Sequence, residues 1–166
     1  KVEGIPAIDT MLQHLDSVIS AENVFRQLFR KNPVLFSLHE SGKNKLAILG
    51  IVKIPGFIKE STVKNAFSGP YGNQKVAEKV RNYNGHKIFY IPGFQNHTEI
   101  YYSFAQGLLV MSTSRIVLES SLRQLSASSS ILDQEGFIPV METAGANTTG
   151  NLYLRPDKLP DWLRSW

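Results

Sequence analysis

The 166-residue chain contains no cysteine, which removes disulfides, thiolate metal sites and thiol nucleophiles. It fixes no compartment, since cysteine-free domains occur on both sides of a membrane. Long hydrophobic runs are missing as well. Nothing approaches the roughly 18 to 20 apolar residues of a spanning helix, and Lys1-Val2-Glu3-Gly4 carries neither an initiator Met nor a secretory signal. Catalytic punctuation is sparse: there is no Gly-x-Ser-x-Gly elbow, no phosphate-cradling glycine loop and no dinucleotide fingerprint. No cofactor is implied. What remains is an ordinary globular composition, 42% apolar and 19% charged, long enough to bury a core.

The net charge of +4 is unevenly spread, with nine Lys/Arg against Glu60 and Glu78 between Lys43 and Lys87. Such a block suits an acidic partner or membrane surface, but lysines spaced by apolar residues are more often a solvated face.

The chain is organised around Tyr83 to Leu125, where local signals agree. Asn84-Gly85 tolerates the two positive φ values of a two-residue hairpin between a strand ending at Tyr83 and one starting at His86. Ile100 to Ala105 reads as a strand, Gln106-Gly107 as a turn, and Leu108 to Met111 as a short buried strand. Ser112-Thr113-Ser114 offers hydroxyl caps for a helix with Leu118, Leu122 and Leu125 on one face.

Upstream, Pro6 opens a helix whose stripe is Ile8, Met11, Leu12, Leu15, Val18 and Ile19. Ser20 caps a second, with Val24, Phe25, Leu28 and Phe29 inward, stopped by Asn32-Pro33. Val34 to Glu40 alternates, with Val34, Phe36 and Leu38 on one face and Ser37 and His39 on the other. Leu46 to Val52 is apolar on both faces, which makes it a central strand. Phe57 to Phe67 predicts a short helix with Val63 and Phe67 inward, and Val76 to Tyr83 leads into the hairpin. Ser126 to Ser130 reads as a linker, followed by a helix at Phe137 to Thr143 and a strand at Asn151 to Arg155.

These elements predict an α+β fold, an antiparallel sheet of about six strands with helices packed mainly on one face. The helices before Pro33 and after Ser114 are expected to share that face. Residues 1–130 form the α+β domain and 131–166 an extension whose helix-then-strand order echoes Phe25 to Leu38, the possible start of a second repeat.

Several short motifs fail on their partners. His39-Glu40 begins like a zinc-protease motif, but Lys43 stands where the second histidine is required and the segment reads as a strand. Ser61-Thr62-Val63-Lys64 matches the Ser-x-x-Lys of penicillin-recognising enzymes without the companion motifs. Phe89, Tyr90, Tyr101 and Tyr102 beside Arg81 and Lys87 imitate a base-stacking sheet, but the glycine-aromatic signature is absent, so cross-strand packing is expected and nucleic acid is not. The sequence implies no metal site and no catalytic residue.

From Tyr83 to Phe89, from Tyr101 to Ser114 and on to Leu125, with the helix-to-strand step of Phe25 to Leu38 and a later Asn151-Leu152-Tyr153-Leu154 strand, the chain resembles a family of envelope-associated bacterial proteins with no assigned activity. The resemblance implies an extracytoplasmic place (periplasm or cell envelope) behind an N-terminal signal or anchor. It carries no catalytic residue with it. The resulting expectation is a non-catalytic scaffold or binding module whose partner is another envelope protein. The alternative is a carrier holding a lipid or other small apolar ligand between sheet and helices, suggested by the two apolar faces of 48–52. The expected contact surface is Tyr71 and Asn73 in the 68–73 loop with Phe94 and His97 in the following connector, since loops with glycine, proline and exposed aromatics commonly bind. The chain is also expected to be a piece of a longer, membrane-anchored protein with further sheet residues after Trp166.

Overall fold

Two turns and a nonlocal pairing lay out the sheet. The computed structural model describes residues 23–42, 45–68, 81–94, 98–127, 133 and 135–143. The chain divides into two units, Lys1–Ala127 and Ser128–Trp166. In the first unit the elements are α1 (Asn23–Lys31), β1 (Val34–Gly42), β2 (Lys45–Lys53), α2 (Glu60–Ser68), β3 (Arg81–Tyr83), β4 (His86–Phe94), β5 (Thr98–Ala105), β6 (Leu108–Ser112) and α3 (Arg115–Leu125). In the second, α4 spans Phe137–Thr143, the helix expected there. The first predicted helix, the 69–80 segment and the 151–155 strand lie outside the described residues.

The six strands form one sheet in the order β1-β2-β6-β5-β4-β3, every neighbouring pair antiparallel, which is the α+β architecture expected. Asn84 and Gly85 adopt φ of 46° and 77°, and Gln106 and Gly107 adopt 51° and 75°. Both pairs place two consecutive residues in the left-handed region, the geometry whose twist matches a two-residue hairpin. β2 is flanked on both sides, by β1 and β6, as its apolar sequence requires.

Strand alternation sends the core to both faces. Val52, Ile91, Tyr102, Leu109 and Met111 meet Phe25 and Leu28 of α1 and Val63, Ala66 and Phe67 of α2. A run of rings knits this cluster: Phe25 to Phe67 and Phe67 to Tyr102 at 4.6 Å each, then Tyr102 to Phe89 at 5.0 Å. Ala47, Leu49, Ile88, Ala105 and Val110 point the other way and meet Val117, Leu118 and Leu122 of α3. Two helices thus share one face while α3 covers the opposite one, where the sequence reading had put it beside α1. The reason is in β2 and β6, which carry large apolar side chains at successive positions; a sheet apolar on both sides must be covered on both.

The α3 cap also differs from expectation. Ser114 occupies the N-cap position but makes no side-chain cap bond. The neighbouring hydroxyls hold the strand-to-helix step instead: Ser112 Oγ accepts the Ser114 N–H at 3.1 Å, and Thr113 Oγ1 accepts the Ile48 N–H at 3.1 Å.

Candidate interaction surface

Edge strands present unpaired backbone groups, so the two ends of this sheet are where a partner strand could add. One end, β3, is described over three residues and carries the exposed Arg81. The other, β1, runs nine residues, and its regular portion, Val34 to Glu40, contains neither proline nor lysine. Among the described residues no strand lies beyond it.

Hydrogen-bond phase identifies which β1 groups are open. Ile48 donates to Thr113 Oγ1 and its carbonyl accepts the Thr113 N–H at 3.2 Å, while Ile54 donates to the Gly107 carbonyl at 2.8 Å. The even residues of β2 therefore turn toward β6. The odd residues Ala47, Leu49 and Ile51 turn toward β1, opposite His39, Ser37 and Leu35. The intervening Val34, Phe36, Leu38 and Glu40 aim their N–H and C=O outward, away from β2. The regular ladder ends at a bulge between Glu40 and Gly42 and is preceded by Pro33.

The same strand exposes three large apolar side chains: Leu35 (56%), Phe36 (50%) and Leu38 (57%). The side chains alternate as the sequence predicts, but the face bearing Phe36 and Leu38 is only partly covered. Phe36 lies against the backbone of Gly50 on β2, where an added Cβ would come within 3.3 Å of Phe36 Cε1. Beside these, Ser37 Oγ and His39 Nε2 are 2.8 Å apart on the opposite face. Burial pushes the His39 pKa below its ordinary 6.5, so the imidazole is neutral at physiological pH. Among the described residues no carboxylate orients this histidine, and the pair reads as mutual satisfaction of two half-buried polar groups.

A second, polar strip lies on the α3 face toward β4. Tyr90 Oη donates to Glu99 Oε1 at 2.9 Å and Tyr101 Oη to Glu99 Oε2 at 2.5 Å. The two rings pair across β4 and β5 with centroids 5.4 Å apart. Burial first, then the hydrogen bond and charge of Glu99, push the Tyr101 pKa up to about 12. Glu119 stands between two arginines, 3.6 Å from Arg115 Nε and 3.9 Å from Arg81 Nε. Glu99 is bonded by two phenols and Glu119 is paired with two guanidinium groups, two carboxylates and two arginines in all, so the strip carries little net attraction for an outside ion.

Of the residues nominated from sequence, Tyr71, Asn73 and His97 lie outside the described residues. Phe94 closes β4 opposite Thr98, after a register shift from Ile91. The Ser61-x-x-Lys64 pair does sit on α2, but the Lys64 ammonium lies 5.0 Å from the Phe89 ring centroid, a cation-π placement. The described residues contain no group of three His, Asp or Glu placed to hold a metal, and no helix long and apolar enough to cross a membrane. No family model, no curated protein and no solved structure matches the chain.

Proposed function

We propose that the chain is a non-catalytic binding module of a larger scaffold, and that it engages its partner by strand addition along β1. The observation that carries this reading is an edge with no neighbouring strand among the described residues: four residues with outward backbone groups, bounded by Pro33 and the 40–42 bulge, flanked by exposed Leu35, Phe36 and Leu38. Strand addition takes its affinity from main-chain hydrogen bonds and its selectivity from alternate side chains, and β1 supplies both. An extracytoplasmic place is part of the proposal, supported by the resemblance to envelope-associated proteins. The feature that suggested an apolar-ligand carrier, β2 with two apolar faces, is accounted for by helix-backed clusters on each side.

Leu38→Pro tests the reading. Its N–H points away from β2, so proline removes an outward donor while leaving the β1–β2 ladder intact. A photo-crosslinking residue at position 36, introduced into the protein in its own cell, is expected to give a discrete adduct that Leu38→Pro abolishes. The same probe at exposed Asn65 on α2 is expected to give none. An adduct unaffected by proline, or equal adducts at both positions, contradicts the proposal.

A further inference from the structure

We infer that the strand fitting the β1 edge is β1 of a second copy of this chain, paired antiparallel about a two-fold axis at Ser37. The inference rests on the strand-addition reading above and names its partner.

Hydrogen-bond phase supplies the first argument. Two antiparallel edges can bond only where outward residues oppose outward residues, so Val34, Phe36, Leu38 and Glu40 must face even-numbered residues of the partner strand. A two-fold axis at Ser37 does this, placing Phe36 opposite Leu38, Val34 opposite Glu40, and Ser37 opposite itself at a position without a direct hydrogen-bonded pair.

The boundaries supply the second. With the axis at Ser37 the ladder covers Val34 to Glu40 and ends where Pro33 of one copy opposes Ser41 of the other, inside the 40–42 bulge. A shift to Phe36 brings Pro33 opposite His39 and shortens the ladder. A shift to Leu38 puts the Glu40 carboxylate opposite Phe36 and runs the ladder into the bulge.

Side-chain fit supplies the third. On the α1 and α2 face the half-exposed Phe36 and Leu38 cover each other twice across the axis, an aromatic-aliphatic cross-strand pair repeated by symmetry. On the α3 face exposed Leu35 meets the half-buried, neutral His39. The one charge in the ladder, Glu40, faces Val34 and not its own copy. The result is a continuous twelve-stranded sheet with closed point symmetry. Seven residues a side make a small interface, so the dimer is weak and concentration-dependent.

The absence of cysteine from the chain makes the test clean. Non-hydrogen-bonded antiparallel pairs bring Cα atoms to roughly 4.5 Å, within disulfide range. In the 166-residue chain, Ser37→Cys under mild oxidation is expected to form a disulfide dimer at least about 10-fold faster than Ser61→Cys on exposed α2, the collisional reference. Leu35→Cys alone, whose two copies would sit four residues apart across the ladder, is expected to match the reference; Leu35→Cys mixed with His39→Cys is expected to crosslink rapidly. Adding Leu38→Pro, or Leu38→Lys should proline unfold the domain, is expected to return Ser37→Cys to the reference rate. Crosslinking of Ser37→Cys no faster than Ser61→Cys overturns the inference, as does rapid self-crosslinking of Leu35→Cys, which would put the axis elsewhere. If the chain stays monomeric while position 36 still gives a proline-sensitive adduct of another mass in the cell, the second copy is excluded and the strand-addition reading stands. Loss of both signals removes both.

Discussion

The placement of α3 on the face opposite α1 and α2 makes a quantitative prediction about two cavities, left by Leu118→Ala and Phe25→Ala, that should be independent of each other. Leu118 is fully buried against Ala47, Leu49, Val110 and Leu122; Phe25 is fully buried on the other side among Phe67, Tyr102 and Leu28. Truncating a buried leucine to alanine costs about 2–5 kcal/mol, and a buried phenylalanine about 3–5 kcal/mol, as lost transfer energy plus the cavity left behind. Leu118→Ala is expected near the middle of its range, because alanine's better helix propensity offsets only about a quarter of a kcal/mol. The sheet separates the sites and they share no side-chain neighbours, so the double variant is expected to equal the sum within about 0.5 kcal/mol. Urea denaturation of the two single variants and the double, read by circular dichroism, measures each term. A cost for Leu118→Ala below about 1 kcal/mol would refute the packing of α3. A coupling energy above about 1 kcal/mol would refute the two-sided core.

Three further outcomes are expected. The Tyr101 phenol, raised from 10.0 to about 12, contributes stability that is complete below pH 10 and is lost as pH rises through about 12; Glu99→Gln is expected to lower this midpoint only part of the way in a phenolate absorbance titration, because burial is the larger cause. His39, lowered from 6.5 by burial, contributes stability present above pH 6.5 and lost as pH falls through its folded value; NMR titration of its imidazole checks this, and a midpoint at or above 6.5 contradicts it. Gly107→Ala, at φ 75° with no atom within 4 Å of the added Cβ, is expected to cost about 1–2 kcal/mol from backbone strain alone, with the urea midpoint as readout.

The parts of the fold legible in sequence were those with local causes. Asn84-Gly85 announced its hairpin because few residue pairs tolerate two left-handed φ values, and the stripe at Leu118, Leu122 and Leu125 announced α3. The sheet order was a different matter. β2 pairs with β6 across some sixty residues of sequence, and periodicity says which side chains share a face but not which strand lies next. For the same reason the alternation of Val34, Phe36 and Leu38 with Ser37 and His39 marks a half-exposed strand, while only its place at the end of the sheet explains why Phe36 and Leu38 themselves are half exposed. The candidate surface was therefore not legible: its signals are a neighbouring lane that no described residue fills and a hydrogen-bond phase, and neither is written in residue type. Glu99 was missed because a single carboxylate carries no motif; its role emerges from Tyr90 and Tyr101 being opposite one another in register. The cap was misread because Ser112, Thr113 and Ser114 all offer hydroxyls, and tertiary geometry decides which one bonds to which amide.

The most direct test of the open edge is residue-resolved amide hydrogen exchange along β1, at a protein concentration low enough to keep the chain monomeric. The account predicts alternation: Leu35, Ser37 and His39, bonded into β2, exchange slowly, while Phe36, Leu38 and Glu40 exchange near the rate of unprotected amides. Uniform slow exchange from Val34 to Glu40 at that concentration would mean that β1 already has a second neighbour within the chain, and would contradict the account.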